Sequence, residues 1–400
     1  MVTFKAFRAI RPQVGLADEI ATLPYDVLSS DEARDLAAET KYSYLHIDKA
    51  EVDLPRTVEA HDSAVYQKAA DNLAAFLDKG WLEKDSQAHY YIYELTLDGR
   101  VQTGVVGLAS VFDYENAVIK RHEYTLPEKE EDRIQHSLAC DANTSPIFLC
   151  YREKADLTAL IEEIKVTSEP LYDFESFYGV HHRVWQTSVD FEPLFAGLPE
   201  LYITDGHHRT ASAAKVSQRL RTAYGRDPKA EYNYFLSVAF PANELEILDY
   251  NRIVRKPLPV DFWERLGRDF EISPVEKGHK PERKHEISVI SPDGWYSLKP
   301  KVVPADEVAG LDVSILQDKV LGPVLGIVDP KTDPNIEFVG GIRGSEPLEA
   351  AVTEEGVIAF MLYPPAMSEL LAVADAGKIM PPKSTWFEPK LRSGLLVHLF

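Results

Sequence analysis

Cysteine is scarce in this 400-residue chain. The two that occur, Cys140 and Cys150, lack C-x-x-C spacing. That excludes a disulfide framework and a structural zinc site, and makes a reducing, cytoplasmic setting the expectation. Long apolar runs are also missing. No stretch reaches the length of a membrane span, and the start of the chain lacks the apolar run of a secretory signal, so no membrane partner is expected. Positive charge is short: 43 Lys and Arg stand against 64 Asp and Glu, a net charge of −21. Such a field repels polyanions, so no nucleic-acid partner is expected, while a local cationic pocket for a small anion stays compatible with it. There is no G-x-x-x-x-G-K-[ST] loop, no G-x-G-x-x-G fingerprint, no internal repeat and no low-complexity tract. His122-Glu123 does not open an H-E-x-x-H zinc motif, because position 126 is Leu126.

What is present is a 45% hydrophobic composition, enough for a globular core, on a length that suits two or three domains. Strands are expected at Phe4 to Ile10, Tyr42 to Ile47, Ser145 to Tyr151 and Tyr232 to Phe240. Asp98-Gly99 between Tyr90–Leu97 and Val101–Phe112 signals a hairpin, and Ser291-Pro292-Asp293-Gly294 signals a second. Ser29 or Ser30 can cap a helix with an acidic first turn, and Val65, Ala69, Leu73 and Phe76 recur at helical spacing before Gly80. Ala366 to Ala376 reads as a further helix ended by Gly377. The mixture makes the chain α+β, and Pro257 and Pro259 mark a change of character near residue 256.

The most informative stretch runs from Leu201 to Ala214. Leu201-Tyr202-Ile203-Thr204 reads as a short buried strand, Asp205-Gly206 turns the chain, and the residues to about Ala223 favour a helix. His207, His208 and Arg209 thus fall at a helix start, where backbone N–H groups and the positive end of the macrodipole attract anions. Arg209 adds a planar fork suited to phosphate, the histidines can donate, accept or titrate, and Asp205 can cap, contact a metal or act as a base. A second cluster holds Glu123, Lys129, Asp132-Arg133, Asn143 and Ser145. Lys129 and Arg133 share a face if the segment is helical, and Asn143 and Ser145 can hold a substrate or a metal-bound water. Near the end, Met380-Pro381-Pro382-Lys383-Ser384-Thr385 is rigid, basic and hydroxylated, and reads either as a lid over the same anion or as a tail strapped down by Trp386 and Phe387.

Taken together, Pro24-Tyr25-Asp26-Val27, His122-Glu123-x-Thr125 with Lys129 and Asp132-Arg133, Asn143-x-Ser145-Pro146-Ile147-Phe148, Asp205-Gly206-His207-His208-Arg209, Asp249-Tyr250-Asn251-Arg252 and Met380 to Thr385 resemble a bacterial and archaeal family filed as domain of unknown function 1015 and often labelled ParB-like or SpoOJ-like. More loosely, the turn from Asp205 to Ala213 is similar to the phosphate-binding turn of the ParB and sulfiredoxin superfamily. That superfamily includes CTP-hydrolysing partition proteins, ATP-using sulfiredoxins and an archaeal kinase of free serine. The resemblance implies a ParB/sulfiredoxin-like core over residues 1–255 with an insertion at about 52–198, and a C-terminal α+β domain or lid over 256–400. It implies a nucleotide phosphate lying on Gly206 to Thr210. No cysteine stands in the turn, which removes sulfiredoxin chemistry, and the acidic charge disfavours a DNA reader.

The expectation is therefore phosphoryl transfer from a nucleotide (ATP or ADP) or pyrophosphate, with Mg²⁺, to a small hydroxylated metabolite, L-serine by analogy. Glu123, Asp205, His207, His208 and Arg209 are the expected catalytic residues, with Asp205 also on the metal. Gly206, Thr210, Lys129, Arg133, Asn143, Ser145, Lys383 and Ser384 are the expected contacts to the phosphate donor. Asp26 and Glu51 are further candidates for the base. The rival expectations are a non-catalytic nucleotide-binding regulator and a DNA-partition protein.

Overall fold

The computed structural model describes residues 1–400, the side chain of Phe177 excepted. The fold is α+β, and the chain forms two compact units. The first comprises Met1–Arg121, Thr125–Leu245 and Pro389–Phe400; the second comprises His122–Tyr124 and Glu246–Glu388. Among the described residues no helix is long and apolar enough to cross a membrane.

The first unit is built on a mixed nine-stranded sheet. Its hairpin, Tyr90–Leu97 with Arg100–Ser110, turns at Asp98-Gly99 as the sequence predicts. Tyr234–Pro241 joins that hairpin on one side and runs parallel to Ile147–Tyr151 on the other, and Leu201–Asp205 then pairs antiparallel with Ile147–Tyr151. These inner strands are continuous apolar runs because both faces of the sheet are covered. One core cluster gathers Phe4, Ile92, Val105, Leu149, Ile203 and Phe235. Side chains of this size contribute about 1.5–3 kcal/mol each when fully buried.

Two early expectations change. Phe4–Lys5 and Ile10–Pro12 are two short strands in different sheets. Tyr42 to Ile47 is not a strand: Leu45–Asp48 is a helical turn. Tyr44, Leu45 and Ile47 are all buried, and so short an apolar run has no periodicity to separate the two states. The turn leaves Asp48 at its end, fully enclosed. The helix Ser30–Glu39 starts from Ser29, whose side chain accepts from the Glu32 amide while Glu32 bonds back to Ser29.

The second unit carries a six-stranded antiparallel sheet in the order Phe270–Val275, Gly294–Pro300, Ile287–Ser291, Val357–Leu362, Tyr250–Arg255, Ile336–Gly340. The predicted hairpin turn at Ser291 to Gly294 and the helix Met367–Asp375 are both present. The Met380 to Thr385 segment is fixed within this unit. Arg252, fully buried, donates to the carbonyls of Tyr250, Lys383 (3.0 Å) and Pro382 (3.3 Å). Ser384 Oγ donates to Pro381 O at 2.6 Å, and Trp386–Phe387 pairs with Ile247–Leu248.

Candidate functional site

The strand Leu201–Asp205 ends at Gly206, and the helix His207–Tyr224 begins there. Gly206 has φ 93°, a left-handed conformation that lets the chain reverse from strand to helix in one residue. Thr210 is fully buried, and its hydroxyl donates to Gly206 O at 3.0 Å inside the helix. His207 is buried. His208 Nε2 accepts the Leu126 amide at 3.0 Å. A backbone N–H only donates, so this nitrogen is unprotonated and ties down the start of the helix Pro127–Cys140.

Arg209 is 9% exposed, and its side chain is turned back over Gly206. Nη1 donates to Pro146 O, and Nη2 donates to Asp205 Oδ2 at 3.0 Å and lies 4.0 Å from Asp26 Oδ2. Nε is buried and has no hydrogen-bond partner. Burial alone lowers the pKa of this guanidinium; Asp26, Asp205, Tyr25 and Asp48 outweigh that and raise it, so the charge stays on. Asp205 is shared: its other oxygen lies 3.6 Å from the buried ammonium of Lys390.

A small cavity opens beside this turn. It is lined by Tyr25, Arg133, His136, Asn143, Thr144, Ser145 and Arg209, among others. Arg133 comes from the helix Pro127–Cys140, and its guanidinium carbon lies 3.9 Å from the centre of the Tyr25 ring. Arg133 Nε donates to Asp132 Oδ2 at 2.7 Å, and Nη1 is 4.0 Å from Asp48 Oδ1. Burial opposes its charge, but Tyr25, Asp132 and Asp48 raise its pKa above the ordinary arginine value.

Asp48 anchors the polar wall of the cavity. Its carboxylate accepts from Thr144 Oγ1 at 3.0 Å and from Ser145 Oγ at 2.8 Å, and it lies 3.8 Å from His136 Nε2. Burial pushes its pKa up; the charges of His136 and Arg133 and the hydroxyls of Ser145 and Ser393 outweigh that and lower it. His136 is depressed to about 4 by burial and by Arg133. Asn143 accepts from the Leu236 amide at 3.4 Å and meets His398 Nδ1 at 3.0 Å.

Four residues singled out from the sequence, Arg133, Asn143, Ser145 and Arg209, therefore line one cavity, and Asp205 is bonded to its edge. Lys129, one turn before Arg133 on the same helix, is exposed. Glu51 is buried and held by Ser30 Oγ at 2.9 Å and Lys49 Nζ at 3.2 Å. Glu123, Lys383 and Ser384 belong to the second unit. Asp48, His136 and Lys390 were not singled out from the sequence. Asp48 directly follows the segment Tyr42 to Ile47, whose sequence predicts a strand, and the other two carry no local motif that marks them.

Among the described residues no group of three or more His, Cys, Asp or Glu gathers to hold an ion. The carboxylates of Asp26 and Asp205 do approach a single guanidinium. That set does not fit an ion held by protein alone, but it fits a magnesium ion carried on phosphate oxygens, which needs only one or two carboxylates.

A family model described as "Protein of unknown function (DUF1015)" matches residues 4–314. No curated protein matches the chain significantly. Among solved structures it is distantly similar to SbnI with C-terminal truncation from Staphylococcus aureus, at 15% identity, 74% of this chain, 87% of that chain and TM-score 0.41. It is similar to a conserved hypothetical protein from Pyrococcus furiosus at 17% identity, 74% and 95% coverage and TM-score 0.37. It is also similar to a free serine kinase in complex with AMP at 16% identity, 73% and 92% coverage and TM-score 0.37.

Proposed function

The chain belongs to the DUF1015 family, described as proteins of unknown function, and we propose that its first unit is a small-molecule phosphotransferase. It would move a phosphoryl group from a nucleotide or pyrophosphate to a hydroxylated metabolite. One observation carries this reading: the buried Arg209 guanidinium and the partly exposed Arg133 guanidinium face one cavity beside a glycine turn that opens a helix. A buried cation next to helix-start amides suits an anion that sheds its water on binding.

In this reading Arg209 and the amides after Gly206 hold donor phosphates, and Arg133 meets charge that develops on transfer. Asp205 is the carboxylate for a magnesium ion, which would neutralise phosphate charge when bound. Asn143 and Ser145 hold the acceptor. Asp26 is the preferred carboxylate for orienting the acceptor hydroxyl. Asp205 is engaged by two cations, Glu51 by Ser30 and Lys49, and Asp48 by two hydroxyls, whereas Asp26 is exposed beside Arg209. L-serine as acceptor rests on the resemblance of the turn alone.

A second reading, a nucleotide-binding regulator without catalysis, is favoured by the engagement of Arg209 with Asp205 and Pro146. A product assay separates the two. The chain is incubated with ATP, ADP or pyrophosphate, magnesium and L-serine, and a phosphorylated product is sought by mass spectrometry. Transfer that Arg209→Ala abolishes supports the kinase, ligand-dependent melting without product supports the regulator, and no binding of any phosphate compound removes both.

A further inference from the structure

A polar cavity selects its ligand through the hydrogen-bonding capacity that its own contacts leave unused. Around the candidate site the side-chain oxygens are taken. Asn143 Oδ1 accepts from the Leu236 amide at 3.4 Å and meets His398 Nδ1 at 3.0 Å. A backbone amide only donates, so this bond fixes which end of the Asn143 side chain is oxygen. Thr144 and Ser145 each give their hydroxyl proton to Asp48, and their oxygens are met in turn by His136 Nε2 at 3.1 Å and Ser393 Oγ at 2.8 Å.

The donors are not taken. Arg133 makes its hydrogen bond through Nε, to Asp132 at 2.7 Å, and its Nη1 lies 4.0 Å from Asp48, beyond hydrogen-bond reach. Among the described residues nothing accepts from Asn143 Nδ2 or from the Tyr25 hydroxyl, whose ring lies on the Arg133 guanidinium. Arg209, 9% exposed, also lines the cavity, and its buried Nε has no partner. None of the described lining residues carries a carboxylate. His136, on the same wall, shows how a cation fares there. Even with Asp48 at 3.8 Å, burial and Arg133 hold its pKa down at about 4, so the imidazole is uncharged at neutral pH. A ligand ammonium in its place meets the same opposition. The cavity is also small, about 370 Å³ with its mouth included, at the low end for ligand sites.

We propose that the phosphoryl acceptor is a short hydroxycarboxylic acid without an amino group, its carboxylate held by Asn143 Nδ2, the Tyr25 hydroxyl and one Nη of Arg133. The inference rests on the phosphotransferase reading above and narrows its acceptor. A carboxylate only accepts, at about four lone-pair sites, which matches a wall of unused donors. An amino acid brings N–H donors to a wall whose oxygens are already engaged, and a charged donor left dry costs more than a hydrogen bond returns. A hydroxyl in the same place accepts from the donors present. In the transfer, the acceptor hydroxyl oxygen bonds to the terminal phosphorus of the donor. The bond from that phosphorus to the bridging oxygen breaks, its electron pair leaves with the shortened donor, and Asp26 takes the hydroxyl proton.

The experiment is steady-state kinetics of the full chain with ATP, ADP or pyrophosphate and magnesium. The acceptors offered are L-serine and each enantiomer of glycerate, which carries a hydroxyl where serine carries its ammonium. One enantiomer of glycerate is expected to exceed L-serine in kcat/KM about tenfold or more. Asn143→Asp keeps the oxygen that receives the Leu236 amide and turns the donor beside it into an anion. It is expected to raise the KM for glycerate about tenfold or more while the KM for the phosphate donor holds. L-serine equal or preferred in the wild type overturns the inference and leaves the phosphotransferase reading standing. So does an unchanged KM for glycerate in Asn143→Asp. Transfer to neither acid overturns the inference, and the parent reading falls with it only where no phosphate compound binds. If Asn143→Asp does not fold, Tyr25→Phe decides. A KM for glycerate raised about threefold or more, with the donor KM unchanged, supports the inference, and an unchanged KM for glycerate overturns it.

Discussion

The Arg209 guanidinium lies flat against Gly206: a Cβ at position 206 would stand 3.2 Å from Nε and 3.3 Å from the guanidinium carbon. The glycine thus meets two demands at once, a φ of 93° and room for the arginine that follows it. Gly206→Ala is expected to cost about 1–2 kcal/mol from the left-handed backbone alone, and more from the contact. Gly80→Ala, where φ is 68° and nothing lies within 4 Å, incurs the backbone cost only. Denaturant unfolding of both variants checks this. Equal losses would show that the guanidinium does not press on the turn.

Arg209→Lys keeps the charge and removes the fork. The lysine can reach Asp205 or Pro146 O but not both in the plane the guanidinium occupies. Binding of ADP with magnesium is expected to fall about tenfold or more. Circular dichroism should stay near that of the wild type, because a cation still faces Asp205. Full affinity in Arg209→Lys would remove the bidentate role given to this residue.

How much of this was legible beforehand follows from what each feature depends on. The turn at Asp205-Gly206, the hairpin at Asp98-Gly99 and the helix Ser63–Asp78 announce themselves through glycine placement and local periodicity, and all three form as read. The guanidinium pair was half legible. Arg133 and Arg209 stood out as cations near motifs, but 76 positions apart in the chain they carry no sign of sharing a cavity. Asp48 was masked because an apolar run of four or five residues does not tell strand from helix. Lys390 was out of reach, because its position depends on a long-range return of the chain to Ile10 and Thr22. Local rules fix the elements, but the polar wall depends on tertiary contacts.

His136 makes the first unit sensitive to acid. It is buried, and its pKa falls from the ordinary 6.5 to about 4, so the folded chain binds fewer protons than the unfolded one between those values. Stability is therefore fully present above about pH 6.5 and is lost progressively as pH falls toward 4. His182, lowered to about 2 by burial and by Arg392, and buried His398 act with the same sign. His136→Asn should make the fall in melting temperature shallower over this range, without flattening it. A variant that tracks the wild type throughout would place the acid sensitivity elsewhere.

Arg252 poses the opposite balance in the second unit. Its guanidinium is wholly buried, its acceptors are the carbonyls of Tyr250, Pro382 and Lys383, and burial lowers its pKa to about 9. Replacing it with methionine, which fills similar space, relieves the cost of holding a charge away from water but strands those carbonyls. For a carboxylate pair the two effects often cancel. Here the acceptors stay behind, and two of them, the carbonyls of Pro382 and Lys383, lie in the Met380 to Thr385 segment, where Lys383 sits at φ 55°. Arg252→Met is therefore expected to destabilise the second unit by about 1–3 kcal/mol. Amide exchange should speed up first between Met380 and Thr385, while the strand Tyr250–Arg255, paired on both sides, stays protected. Mass-spectrometric exchange resolves the two peptides. Uniform acceleration across both would mean that Arg252 supports the sheet, and that other contacts hold the proline-rich segment.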